Sequence, residues 1–190
     1  MNLTTSEFLD FAEKFILPIV IGSLTFYLTS FLSQIRERRN QSKLGVVRIN
    51  ALLEEVKTGR GIIEELINAD REKIKEPLRI PPKKSFSGNQ TLSDAILLRI
   101  LACVGDKKAG FPLNQVQIHT KNYFEHITQH VISRGKEKTD CYSTSALNKE
   151  RLDKVNKSLK YYMDATDNVI LMLEQIVLLL TRNSKAYFPK

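Results

Sequence analysis

All three histidines of the chain, His119, His126 and His130, fall within twelve residues of one another. On a helix, steps of seven and four place them within about 40° on the wheel. They sit beside an apolar stripe rather than in it, between Tyr123 on one flank and Gln115 and Asn122 on the other. His126 and His130, one turn apart, have the spacing at which two imidazoles chelate a transition metal. The surrounding sequence from Phe124 to His130 lacks the H-E-x-x-H order of hydrolytic zinc sites. Imidazoles also serve as polar residues at a packing boundary, or line a ligand-binding face, for which His126 is the candidate.

A second chemistry is that of anion binding. Lys73, Lys75, Arg79, Lys83 and Lys84 cluster near Ser85 and Asn89; Arg134, Lys136 and Lys138 precede Tyr142; Lys149, Arg151, Lys154, Lys157 and Lys160 follow. Several cations with nearby amides and hydroxyls hold phosphates, and an aromatic ring stacks a base. Arg79, Lys83, Lys84, Asn89, Arg134, Lys136, Lys138, Tyr142, Lys149 and His126 are therefore the candidate ligand residues. The plain alternative is a solvated or lipid-facing basic surface. No glycine-rich phosphate loop, nucleophile elbow or kinase motif occurs. No arginine precedes a histidine with four to six residues between them, as the R-x4-6-H signature of small helical ribonucleases requires. Nothing pairs an acid and a base with a nucleophile or metal, so the chain is read as non-enzymatic, with no cofactor and no duplex nucleic acid partner.

The elements that must position these residues begin with an uncharged run, Phe15 to Ile35, which stops at Arg36-Glu37-Arg38-Arg39. A helix of this length crosses the roughly 30 Å apolar core of a bilayer. Its dozen or so Phe, Ile, Leu and Val residues supply several kcal/mol of partitioning energy, at about 0.3–0.6 kcal/mol each. Acids before the run and Arg36, Arg38, Arg39, Lys43 and Arg48 after it predict a tail (1–14) outside, a span (15–35) and a cytoplasmic part (36–190). A cleaved signal peptide would want a basic start, a shorter core and small residues at a cleavage site. Pro18, Gly22, Thr25, Thr29 and Ser33 share one face of the span, a pattern that favours helix association and a homo-oligomer.

The chain has 190 residues and a net charge of +8. Its first 14 residues contribute −2, so the part beyond the span carries +10. Anionic headgroups account for the five cations next to the membrane, at about 1 kcal/mol apiece. Two cysteines, Cys103 and Cys141, make no disulfide framework or zinc site.

Beyond the span, Ile49, Leu52, Val56, Gly59, Ile63 and Leu66 predict an amphipathic helix to about Lys75, continuous or nearly so with the span. Residues 76–90, with Pro77, Pro81, Pro82 and Gly88, read as a loop. Ala95 to Val104 reads as a short helix, closed by a turn between Gly105 and Gly110. A third helix is predicted from Leu113 to Ser133, ended by Gly135, with a polar connection over 134–144. The last runs from Ser143 or Ser145 to about Leu180, on a seam of Leu152, Val155, Leu159, Tyr162, Thr166, Val169, Leu173, Ile176 and Leu180. No strand is expected. The fold class is all-α: one transmembrane helix followed by a cytoplasmic antiparallel helical bundle.

A short outward tail, an N-terminal span and a small basic cytoplasmic domain resemble the layout of membrane effectors in bacterial anti-phage defence. The type III CRISPR-associated membrane effectors are the most similar. The resemblance covers the overall plan and no motif, so it carries over no binding residue. It implies an inner-membrane protein whose domain oligomerises, binds a cyclic oligoadenylate and disturbs the bilayer. The competing expectations are a membrane-tethered scaffold that recruits a protein partner and a metal sensor built on the histidine face.

Overall fold

The computed structural model describes residues 12–70, 94–105, 110–144 and 148–185. The expected loop, with Arg79, Lys83, Lys84 and Asn89, lies outside the described residues, as do residues 1–11. A π-helical turn, Ala12–Ile16, leads into α1 (Leu17–Asn68). Then come α2 (Asp94–Ala102), α3 (Leu113–Asn122), a π-helical turn (Tyr123–Ile127), α4 (Thr128–Ser143) and α5 (Lys149–Lys185). Among the described residues there is no strand. The chain divides into two compact units, Met1–Gln41 and Ser42–Lys190.

In the first unit the apolar run forms the start of α1, and its large side chains are exposed, Phe26 at 78% and Ile19 at 67%. This is the one helix among the described residues long and apolar enough to cross a membrane. Gly22, Thr25, Thr29 and Ser33 are all exposed. The Thr29 hydroxyl donates to the Thr25 carbonyl at 2.7 Å, which removes a bare polar group from an otherwise apolar helix.

In the second unit α1 buries Ser42, Gly45, Ile49, Leu52, Val56, Gly59, Ile63 and Leu66, alternating steps of three and four. That spacing holds one stripe against neighbouring helices. The expected seam of α5 is buried from Val155 to Leu180, with Leu152 and Tyr162 half-buried. Thr166 is fully buried, and its hydroxyl donates to the Tyr162 carbonyl at 2.7 Å. One core cluster joins Ile49, Leu52 and Val56 to Ile100, Val116, Tyr123, Leu173 and Ile176; a second joins Ile63 and Leu66 to Val131, Val155 and Leu159. Each such aliphatic side chain contributes about 1.5–3 kcal/mol through burial.

Cross-helix contacts set the directions. Gly45 lies against Leu180, Lys57 pairs with Glu174 at 2.9 Å and Arg60 with Asp167 at 2.7 Å, so numbering rises on α1 as it falls on α5. Tyr123 reaches the Val56 carbonyl, Lys138 the Leu66 carbonyl and Tyr142 the Ala69 carbonyl, so α3–α4 and α1 rise together. α1 and α5 therefore run antiparallel, and α1 and α3–α4 run parallel.

Three expected boundaries also move. The predicted connection over 134–144 is helical to Ser143. Gly135 lies buried inside α4, and Val131, Lys138 and Cys141 continue its inward face. The cost of an internal glycine, about 1 kcal/mol against alanine, is outweighed by that burial. α1 ends at Asn68 rather than near Lys75. α5 starts at Lys149, where the Asn148 side chain accepts a hydrogen bond from the Arg151 amide at 3.0 Å and caps the helix. Gly105 and Gly110, on either side of the expected turn, adopt positive φ, 76° and 73°; residues 106–109 between them lie outside the described residues.

Candidate functional site

The last four carbonyls of any helix lack intrahelical partners, and the helix dipole makes that end negative. At the end of α1 this need is met by two of the candidate ligand residues. The Lys138 ammonium donates to the Leu66 carbonyl at 2.6 Å and the Ile67 carbonyl at 2.9 Å. The Tyr142 hydroxyl donates to the Ala69 carbonyl at 3.2 Å. Lys138 is 1% exposed, the only buried charge among the described residues, and its ammonium stands 6.0 Å from the centre of the Tyr142 ring. Burial lowers its pKa against the opposing pull of Asp70. The Tyr142 pKa is raised, first by burial and then by Asp70 and Cys141.

Next to this clamp, Arg134 and Arg151 both hold Glu137. Arg134 donates to one carboxylate oxygen, and the Arg151 Nε donates to the other at 3.0 Å. Hydrogen bonds from Arg151 and Arg134 hold the Glu137 carboxyl below its ordinary range. Arg134 is thus engaged with its own chain, whereas Lys136 and Lys149 are exposed. Arg134, Lys136, Lys138, Tyr142 and Lys149 all lie where α4 ends and α5 begins; Glu137, Asp70 and Arg151 complete the group. The spacing of Val131, Gly135, Lys138 and Cys141 is the sequence signal that α4 continues and turns Lys138 inward. Nothing in the sequence pointed to the α1 carbonyls as its partners.

The histidine face lies elsewhere. His119, His126 and His130 are exposed. His130 stacks on Tyr162 of α5, ring centres 5.7 Å apart and planes 6° from parallel. No group of three or more His, Cys, Asp or Glu able to hold a metal occurs among the described residues. Tyr123, which the wheel placed at the flank of this face, is 1% exposed and opens the π-helical turn. Burial, with a smaller contribution from Glu55, drives its pKa well above the ordinary tyrosine value. The widened turn holds Phe124, Glu125 and His126 and leaves the backbone in helical angles at both ends.

Compared with known proteins, the chain matches no family model, no curated protein and no solved structure.

Proposed function

We propose that the chain is a non-enzymatic, membrane-anchored sensor-effector of the bacterial inner membrane. In this reading the N-terminus is outside, and the bundle takes an anionic second messenger at the junction of α4 and α5. A cyclic oligoadenylate in anti-phage defence is the ligand suggested by the layout. One observation carries the reading: Lys138 and Tyr142 bond to the last turn of the same helix that begins as the apolar span. An anion drawn to Lys136, Lys149 and Arg134 would compete with the α1 carbonyls for Lys138 and with Glu137 for Arg134. The ligand shifts the protein only by as much as it prefers the arrangement with the clamp released. Oligomerisation through Gly22, Thr25, Thr29 and Ser33 would place several such sites around one axis.

The test is calorimetry of the full chain in detergent micelles with cyclic di-, tri-, tetra- and hexa-nucleotides. Tight binding of one ring, lost in a K136E/K149E variant, supports the reading. Absence of binding to every ring refutes it. A membrane-tethered scaffold is the second reading, favoured by one observation: Lys57, Arg60, Arg134, Arg151 and Lys154 are neutralised by carboxylates of the same chain.

A further inference from the structure

One place in the second unit brings three helices close. A β-carbon on Gly45 would stand 3.2 Å from the Ile100 Cγ2 and 3.3 Å from the Leu180 Cδ1, so α1, α2 and α5 meet there. Within two residues of those three positions lie four exposed apolar side chains: Leu44 (50%), Val47 (67%), Leu98 (49%) and Leu178 (69%). The same windows hold three exposed cations, Lys43, Arg99 and Arg182, and no Asp or Glu. At the other end of the bundle the cations stand among carboxylates: Arg134 and Arg151 pair with Glu137, and Lys154 with Glu150. Exposed leucine and valine beside uncompensated Lys and Arg is the chemistry of an interfacial lipid surface: apolar tips enter the boundary of the acyl chains, and cations meet headgroup phosphates.

Lys43 follows Ile35, the last residue of the expected span, by only eight residues, so the chain itself keeps Lys43 and Leu44 near the headgroups of a bilayer that the span crosses.

We propose that the end of the bundle around Gly45, Ile100 and Leu180 docks on the surface of an anionic bilayer. Leu44, Val47, Leu98 and Leu178 enter the interface, and Lys43, Arg99 and Arg182 bind headgroup phosphates. The proposal rests on the reading of α1 as a membrane span, and the experiment separates the two. The chain has no tryptophan, so F26W, L98W, L178W and K136W each create a single reporter, all at exposed positions. The full-length variants are reconstituted in vesicles of phosphatidylcholine and phosphatidylglycerol, with lipids brominated near the headgroup or, in a parallel set, near the ends of the acyl chains as quenchers. The span reporter F26W, at the middle of the span, is quenched by the deep bromines if the helix inserts, and L98W and L178W are read with the shallow ones. Docking predicts that L98W and L178W lose about half their emission, less so in pure phosphatidylcholine, while K136W is unchanged. If F26W is quenched and L98W and L178W behave as K136W, docking is refuted and the span stands. If F26W is also unquenched, both fail. Shielding of L98W and L178W from aqueous iodide without bromine quenching assigns the surface to a second copy of the chain and overturns the proposal.

Discussion

Replacing Lys138 with Met probes how α1 is held at its end. Methionine keeps most of the stem's packing and removes the ammonium. The Leu66 and Ile67 carbonyls then lose their donor, at about 1–3 kcal/mol for each buried group left unsatisfied. Part of that loss is returned, because burying the ammonium is itself unfavourable, as its lowered pKa shows. The net expectation is about 1–3 kcal/mol of destabilisation. For a chain of this size that is a fall in melting temperature of a few degrees to about 10 °C. Thermal melts of the detergent-solubilised chain, followed by helical circular dichroism, read the global effect. Hydrogen exchange over residues 60–69 reads the local one. K136M, at an exposed neighbour on the same helix, should stay within about 0.5 kcal/mol. A K138M protein as stable as K136M, with unchanged exchange at the end of α1, would show that the clamp contributes nothing. The pH dependence gives an independent check. Lys138 has a folded pKa below its unfolded value, so the unfolded state binds more protons between the two. Stability therefore rises with pH from the lowered value toward the ordinary lysine range, and K138M flattens the rise. Tyr123 and Tyr142 have raised values, so above about pH 10 they act in the opposite sense, and the rise is read below that point.

Glu137 is held below the ordinary carboxyl range by Arg151 and Arg134. Its contribution is present above the unfolded carboxyl value of about 4.3 and is lost as pH falls through the lower folded one. Acid titration of stability should lose that step in E137Q, and an unchanged acid limb would contradict the assignment. At Gly45 there is no room for a side chain longer than a methyl group. G45L should therefore cost about 3 kcal/mol or more by forcing α2 and α5 away from α1, seen in denaturant melts. G45A is milder, since the helical preference of alanine, about 1 kcal/mol, offsets contacts at 3.2 and 3.3 Å.

Local periodicity decides much of this protein, and periodicity is written in the chain. The seams Ile49–Leu66 and Val155–Leu180, the apolar run before Arg36 and the two turn glycines all follow from residue spacing, because side chains of one helix face recur every three or four positions. A wheel also places His119, His126 and His130 together. Gly135 reads as a helix end because glycine costs about 1 kcal/mol in a helix interior, and it stays inside α4 because Val131, Lys138 and Cys141 are buried on both sides of it. A wheel cannot say which way two seams face each other, since parallel and antiparallel pairs bury the same stripes. That choice appears in the tertiary pairs Val56–Tyr123, Leu66–Lys138 and Arg60–Asp167. The basic residues show the division most plainly. In the sequence Arg134, Lys136 and Lys138 form one cluster of like charge. In the fold Lys138 is spent on the carbonyls of α1, Arg134 on Glu137, and Lys136 remains in solvent. Charge is a property of the residue, but whether it is available to a ligand depends on which buried acceptors the tertiary structure brings within about 3 Å of it.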